Sequence, residues 1–308
     1  MNRTNRTSEP VSGDRRHPGS AAKPFRRSPA RPRTAVAPAA PGWLTERVRA
    51  LRRTVVPLVL ALVVVLGGTQ LAAAAEPVDY VALGDSYAAG VGAGTGECGR
   101  TDASYPARYA AAAGVASFTF VACSGATTAG VLADQVRAVS RTTDLVTITV
   151  GGNDTGFVPV LARCSTAATD AGCDQAVRAG ERIARYVLPS AVAAVVWAVR
   201  AQAPWARVVV LGYPHLFGEG PGSCPLNPAR RARIDAGADV LNARIAESVR
   251  RWGAEFVDVR PAFDGHGLCS ADPWIVGPGG PGAYHPTTTG YALGYLPALR
   301  PAPQVPGA

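Results

Sequence analysis

Apolar runs and helix-like segments alternate along the chain from residue 76 onward. The runs are rich in Val, Ile, Phe and Thr, which favours strands, and they lie at 79–83, 118–122, 145–150, 207–211 and 255–259. Segments typical of helices separate them, at 105–113, 129–138, 175–203 and 228–252. Such alternation predicts a parallel sheet covered by helices on both faces. We therefore expect one α/β domain over residues 76–300.

The segment 228–252 gives the clearest helical signal. Asn227 can cap it, and Pro228 suits the first helical position, where a missing N–H costs nothing. Its apolar residues recur every three or four positions, at Ile234, Ala238, Leu241, Ile245, Val249 and Trp252. The predominantly apolar stretch 187–199 is too short to cross a membrane and is typical of a buried helix.

The first 76 residues follow a different pattern. Residues 1–54 carry 13 Lys and Arg against 3 Asp and Glu, with many prolines and few large apolar side chains. Such a segment cannot bury enough surface to offset its ordering entropy, so we expect a disordered basic leader. The unbroken apolar run 55–66 is followed by small residues that end at Ala75. This order predicts a signal peptide over 55–75 with cleavage after Ala75. The last residues, 301–308, form a Pro-rich tail.

Two alternatives stay open for the leader. The uncharged stretch 54–75 has 22 residues, which is long enough to span a membrane. If it is not cleaved, the protein is a single-pass membrane protein whose folded domain lies outside the cytoplasm. Because the leader is long for a signal peptide, translation could also begin inside it, for instance at Val48. We expect export of the domain, with membrane attachment as the alternative.

The net charge belongs to the leader and not to the folded part. The whole chain has a formal net charge of +9, which alone would suggest nucleic acid or an anionic membrane as a partner. Residues 55–308, however, carry 18 basic and 19 acidic side chains. The leader also lacks the interleaved aromatic residues on which single-stranded nucleic acids stack. We therefore expect no nucleic-acid partner.

All six cysteines lie beyond residue 76. They are Cys98, Cys123, Cys164, Cys173, Cys224 and Cys269. An even count beyond an export signal predicts three disulfide bonds in an oxidising compartment, although the residues alone leave the connectivity open. No cysteine pair has the C-x2-C spacing of zinc sites, and no histidine lies at ligand spacing to a pair. We expect neither a metal nor another cofactor.

Several predicted strands are followed by polar residues that a core does not need. Residues 84–87 (Gly-Asp-Ser-Tyr) end the first strand, Gly125 follows the second, and residues 151–154 (Gly-Gly-Asn-Asp) end the third. His285 and Pro286 lie far downstream. Each motif alone is typical of an ordinary turn. Active sites in parallel α/β sheets lie at the carboxyl ends of the strands. The joint occurrence of these motifs therefore indicates an active site at that edge of the sheet.

A serine nucleophile is the chemistry that these residues favour. The hydroxyl of Ser86 is a weak nucleophile until a base removes its proton, and histidine is the usual base. The predicted domain has three histidines, His215, His266 and His285. The residues alone do not decide which of the three acts on Ser86.

The motifs together resemble the GDSL or SGNH hydrolase family. The resemblance rests on residues 84–87, Gly125, residues 151–154 and His285–Pro286, and it covers 78–296. It implies a flavodoxin-like three-layer α/β/α sandwich with a central parallel sheet, and an ester hydrolase. It also implies that His285 is the base. The implied oxyanion hole consists of the Ser86 and Gly125 backbone N–H groups and the Asn153 side chain.

The cysteines resemble those of the secreted bacterial lipase and esterase branch of this family. That branch pairs its cysteines in sequence order. The pairs implied here are Cys98–Cys123, Cys164–Cys173 and Cys224–Cys269.

One position departs from the family pattern. Many members place an acid three residues before the histidine, where this chain has Gly282. A glycine has no side chain to accept the Nδ1 proton and hold the imidazole tautomer. The branch that this chain resembles can use a main-chain carbonyl instead, so we expect a Ser–His dyad with a backbone acceptor just before His285. If a side-chain acid orients the histidine instead, Asp272 and Asp264 are the candidates.

The prediction is a secreted serine ester hydrolase, a lipase or esterase that acts on small-molecule or lipid esters. We expect a monomer. Two alternatives are a carbohydrate O-deacetylase on the same fold and a non-catalytic secreted binding protein. Nothing in the sequence indicates the acyl-chain length or the head group of the substrate.

Overall fold

The computed structural model describes residues 78–220 and 224–299. The predicted leader at 1–54, the signal segment at 55–75 and the tail at 301–308 lie outside the described residues.

Five parallel strands form the central sheet. They are β1 (Asp79–Gly84), β2 (Ser117–Phe120), β3 (Leu145–Thr149), β4 (Arg207–Leu211) and β5 (Glu255–Val257). Their order is β2-β1-β3-β4-β5, and β1 pairs with β3 from Tyr80–Leu145 to Gly84–Thr149. The chain adds β2 on one side of β1 and then crosses to add β3 on the other side. The carboxyl ends of β1 and β3 therefore form the switch point at which open α/β sheets place their sites.

Six regular helices accompany the sheet in the part of the chain that the structure describes. They are α1 (Ser86–Ala89), α2 (Tyr105–Ala113), α3 (Phe157–Thr166), α4 (Asp170–Tyr186), α5 (Leu188–Gln202) and α6 (Pro228–Arg251). Short or irregular helical turns lie at Thr128–Gly130, Val131–Gln135, Val136–Ala138, Glu97–Gly99, Arg260–Phe263, Gly290–Tyr295 and Leu296–Leu299. Helix α2 packs against the turns at 290–299, whereas α5 packs against 131–138 and α6. These two groups cover opposite faces of the sheet, as right-handed crossovers require, and the predicted α/β/α sandwich is confirmed.

The strands are buried because helices cover both of their faces. Every residue of β3 is buried, as are four of the five residues of β4. Helix α5 turns one face to this core, with Leu188, Val192, Val195, Val196 and Val199 almost inaccessible to solvent. Trp197 on the same helix is 59% exposed, so burial of the 187–199 stretch is one-sided.

The structure divides the helix predicted at 175–203. Helix α4 ends at Tyr186 and α5 begins at Leu188, with Pro189 in its first turn. A proline has no N–H to give to the preceding turn, so a continuous helix would lose a hydrogen bond there. Helix α3 was not predicted, and the segment predicted as a helix at 129–138 is irregular. The capping prediction for α6 is confirmed, since the Asn227 side chain accepts from the Arg230 N–H at 2.9 Å.

Within the described residues, no single helix is long and apolar enough to cross a membrane. Helices α4 and α5 together have the length and apolar composition of a membrane span, but they are bent by 47° relative to each other.

Three disulfide bonds join the six cysteines in sequence order, as the resemblance implied. They are Cys98–Cys123, Cys164–Cys173 and Cys224–Cys269. The first of them ties the loop after α1 to the segment that follows β2. The Ser124 N–H donates to the Cys98 carbonyl at 2.7 Å and reinforces this link. Gly125, the next residue, is thereby held near the end of β1.

Candidate active site

Ser86 lies at the turn between β1 and α1. The Asp85 carboxylate accepts a hydrogen bond from the Tyr87 N–H at 2.9 Å and caps the helix that Ser86 begins. Gly84 makes the sharp turn with a φ of +128°, and a side chain there would collide with the Thr149 backbone of β3. Ser86 itself is only 7% exposed. The local sequence therefore holds the hydroxyl at the carboxyl end of the sheet.

The structure brings His285 next to Ser86. The His285 Nε2 atom lies 2.7 Å from the Ser86 Oγ, and its Nδ1 atom lies 2.9 Å from the Ala283 carbonyl oxygen. A carbonyl only accepts hydrogen bonds, so Nδ1 carries the proton and Nε2 is left to accept from the serine hydroxyl. This is the tautomer that a general base needs.

The chain around His285 is held by close backbone contacts. Gly282 has a φ of +79°, and a Cβ there would lie 2.6 Å from the Cα of Gly92. Tyr284 is a rare non-glycine residue with positive φ, at 64°. Its carbonyl accepts from the Tyr87 hydroxyl at 2.6 Å. These contacts aim the Ala283 carbonyl at the imidazole, which explains why glycine can occupy position 282.

The other candidate residues have partners elsewhere. His215 contacts Asp239 at 2.7 Å, and His266 contacts the Asp272 carboxylate at 3.3 Å. Asp272 also accepts from the Trp274 indole N–H at 3.1 Å. Over residues 78–220 and 224–299, His285 has no hydrogen bond to a carboxylate. The described geometry is therefore that of a dyad with a backbone acceptor.

The loops after β2 and β3, the two strands that flank β1, carry Gly125 and Asn153 and are hydrogen-bonded to one another. The Asn153 amide donates to the Ala126 carbonyl at 2.9 Å, which uses one of its two N–H hydrogens. The carboxylate of Asp154 accepts from the backbone N–H of Thr128 at 3.0 Å and from its hydroxyl at 2.5 Å. Gly125 adopts a φ of +81° in the facing loop. The loops after β2 and β3 are therefore joined at two points.

Burial shifts the pKa of the candidate base and of a carboxyl beside the nucleophile turn. It lowers the pKa of His285 below its ordinary value, although the Ala283 and Gly282 backbone oppose the shift. Burial raises the pKa of Asp85 to about 7, against hydrogen bonds from the Tyr213 hydroxyl and the Tyr87 N–H. A lowered pKa keeps the imidazole neutral and able to accept a proton at neutral pH.

An apolar pocket adjoins these residues. It has a cavity volume of about 80 Å³ and lies between α3, α4 and α6, and its walls include Tyr87, Phe157, Leu161, Val177, Ala184 and Leu241. The rings of Tyr87 and Phe157 lie 4.9 and 6.3 Å from the imidazole of His285, measured between centroids. Gly152, next to Asn153, also lines the pocket. Tyr87 and Phe157 therefore line the pocket and also lie near the imidazole of His285.

The fold and this arrangement define a known class of protein. The family model described as "GDSL-like Lipase/Acylhydrolase family" matches residues 82–293. The chain belongs to this family, and it is a carboxylic ester hydrolase.

Relatives from Streptomyces are similar over most of the domain. "Lipase" from Streptomyces rimosus is 44% identical over 236 residues, which is 74% of this chain and 87% of that protein. "Lipase 1" from Streptomyces coelicolor is 39% identical over 260 residues, 80% of this chain and 95% of that protein. The crystal structure of phospholipase A1 from Streptomyces albidoflavus is 43% identical with a TM-score of 0.69. That match covers 72% of this chain and 98% of the phospholipase.

Tyr87 and Tyr213 were not predicted to contact the site, and the backbone acceptor predicted just before His285 was not assigned to a residue. Ala283 contributes only its carbonyl, which no side-chain pattern can reveal. Tyr87 follows Ser86 directly and could have been weighed for that reason. Tyr213 follows β4 at the carboxyl edge of the sheet, the same rule of position that singled out the other motifs.

Proposed function

We propose that this ester hydrolase works through a covalent acyl-enzyme on Ser86, with His285 as base and then as acid. The observation that carries the proposal is the chain of contacts from the Ala283 carbonyl through the imidazole to the Ser86 Oγ, at 2.9 and 2.7 Å. It supplies an oriented base in the correct tautomer beside a hydroxyl at the end of β1.

The chemistry proceeds in two matched halves. In the first, the Ser86 Oγ bonds to the ester carbonyl carbon while its proton moves to the Nε2 of His285. The negative oxygen of the tetrahedral intermediate binds to the backbone N–H groups of Ser86 and Gly125 and to the Asn153 amide. The imidazolium then protonates the leaving alcohol as the C–O bond breaks. In the second half, water repeats the attack, the acid is released and Ser86 regains its proton.

The acyl part of the substrate binds in the apolar pocket. The pocket begins at Tyr87, the residue after the nucleophile, and its walls are mainly aliphatic and aromatic. Burial of a hydrocarbon chain there removes apolar surface from water, which stabilises the complex with each added methylene. The relatives are named lipase and phospholipase A1. We infer that esters of fatty acids are the substrates.

The enzyme acts outside the cytoplasm. Three disulfide bonds are typical of an oxidising compartment, and the residues at 55–75 have the pattern of an export signal. A solved structure that is 43% identical is described as an extracellular lipase from Streptomyces rimosus. Sequencing the N-terminus of the secreted protein tests cleavage after Ala75.

A fluorophosphonate probe tests the nucleophile. We expect the probe to label the folded, oxidised protein at Ser86, to abolish ester hydrolysis in proportion, and to leave the S86A variant unlabelled. Mass spectrometry of the labelled peptide identifies the residue, and the S124A variant, altered at a nearby serine, should label normally. Failure of the folded protein to react would contradict the acyl-enzyme, and this is the result that a binding protein would give.

An alanine in the pocket tests the acyl site. Ala184 lines the pocket and is 1% exposed, so A184L places three more carbon atoms inside it. We expect kcat/KM for p-nitrophenyl decanoate to fall by about tenfold or more, because each displaced methylene is worth about 1–3 kcal/mol. The value for the acetate ester should stay within about twofold. A112L, on the exposed face of α2, is the control. Equal losses on both esters would place the acyl chain elsewhere.

The acid limb of the pH profile tests the base. Neutral His285 is the active form, and burial lowers its pKa, so kcat/KM should rise with pH with a midpoint below 6.5. Because burial raises the pKa of Asp85 to about 7, two groups ionise in this range, and the base is assigned by a second measurement. Proton NMR of the imidazole C–H signals, assigned by their loss in H285Q, measures the pKa directly. A value above 7 would contradict the effect of burial.

A further inference from the structure

The Tyr213 hydroxyl joins two parts of the site that the chain does not connect. It donates to the Asp85 carboxylate at 2.6 Å and accepts from the Gly152 N–H at 2.9 Å. Asp85 belongs to the turn that carries the nucleophile, and Gly152 precedes Asn153. The tyrosine is only 6% exposed and Asp85 only 1%, so water does not compete for these bonds.

The backbone of Tyr213 is itself held in place. Its N–H donates to the Asn242 side-chain oxygen at 2.9 Å, and its carbonyl accepts from the Asn242 amide at 2.8 Å. This pair of bonds anchors the end of β4 to α6. The ring also packs on Gly152, where a Cβ would lie 3.3 Å from it. The backbone bonds and the ring packing therefore fix the position of the Tyr213 hydroxyl.

We propose that Tyr213 is a positioning residue, whose hydroxyl sets the distance between the Ser86 nucleophile and the Asn153 oxyanion donor. This inference rests on the proposed roles of Ser86 and Asn153. The loops that carry the other two proposed donors, Gly125 and Asn153, are already joined to each other. Asn153 donates to the Ala126 carbonyl, and the Thr128 N–H donates to Asp154. The hydroxyl of Tyr213 is a side-chain contact that ties the loop after β3 directly to the nucleophile turn.

The phenol group suits this task because of its two hydrogen-bonding roles. A hydroxyl donates one hydrogen bond and accepts others, so one oxygen satisfies both a carboxylate and a backbone N–H. Phenylalanine keeps the ring and the packing on Gly152 but leaves both groups buried without this partner. A displacement of the donor by a fraction of an ångström weakens its bond to the oxyanion more than any bond to the ground state.

The experiment is a kinetic double-mutant cycle. Y213F is expected to lower kcat by about tenfold to hundredfold, with KM for a short ester within about twofold of the parent. In the N153A background the same change should cost less than about threefold, because the donor that it positions is gone. The matched control is Y80F, which removes another buried tyrosine hydroxyl, one that bonds to Thr147 inside the sheet. Y80F should leave kcat within about twofold.

Two results would overturn the inference. One is a kcat for folded Y213F within about twofold of the parent, and the other is a full, additive loss in the N153A background, which a merely structural role would give. The parent protein offers a further check that needs no variant, since the Gly152 amide should exchange its hydrogen as slowly as the amides of β3. Fast exchange at Gly152 overturns the bridge. Labelling of Ser86 by the fluorophosphonate separates this outcome from failure of the acyl-enzyme itself.

Discussion

The H285Q variant is expected to lose about four to six orders of magnitude in kcat. Glutamine occupies a similar volume and can still donate to the Ala283 carbonyl, but it cannot take the proton of Ser86 at neutral pH. Removing one member of a catalytic Ser–His unit typically costs nearly as much as removing all of them, since the members act together. Single-turnover hydrolysis of a p-nitrophenyl ester measures the loss.

The D272N variant is the matched test of the dyad. Asp272 bonds to Trp274 and contacts His266, and has no described bond to His285. We expect D272N to keep kcat within about threefold of the parent, with folding judged by near-ultraviolet circular dichroism. A loss of several orders of magnitude in folded D272N would show that a carboxylate orients the base, and the backbone acceptor would then be wrong.

The N153A variant is expected to lower kcat by about 10²–10³-fold with little change in KM. The loss of one preformed oxyanion donor has this typical cost, because the donor bonds most strongly to the charge that develops in the transition state. Affinity for a boronic-acid inhibitor, which forms a tetrahedral adduct on serine, should fall in parallel with kcat.

The T128V variant controls for the bracing of the loop. Thr128 donates through its hydroxyl to Asp154, one residue after the proposed oxyanion donor Asn153, and valine removes only that bond. We expect T128V to lose less than about tenfold in kcat. If T128V and N153A lost equal activity, the order of the loop and not the amide of Asn153 would account for the effect.

Much of the fold follows from local patterns. The strand at 207–211 and the helix at 105–113 have the predicted bounds, because the apolar patterns that predict them are short-range signals. The break at Val187 was missed, since the apolar pattern continues across it. The irregular turns at 131–138 also escaped prediction, because their geometry depends on packing against α5 and not on local propensity.

The candidate site shows a similar division. The motifs at Ser86, Gly125 and Asn153 could be placed together because parallel strands bring their carboxyl ends to one edge. The choice among three histidines needed the family resemblance, since 199 positions separate Ser86 from His285. The sequence indicated that a backbone carbonyl just before His285 accepts the Nδ1 proton, but it did not indicate which residue carries that carbonyl.

The sequence by itself determined the class of fold, the six-cysteine framework and the residue types that the chemistry needs, because each of these depends on side-chain identity and short spacings. Only the tertiary structure decided that Ala283 supplies the acceptor carbonyl and that the hydroxyl of Tyr213 bridges Asp85 and Gly152. The tertiary structure alone also showed the apolar pocket that Tyr87 lines. The reason is physical: carbonyl directions and cavities depend on how distant segments pack, and no pattern within one segment encodes them.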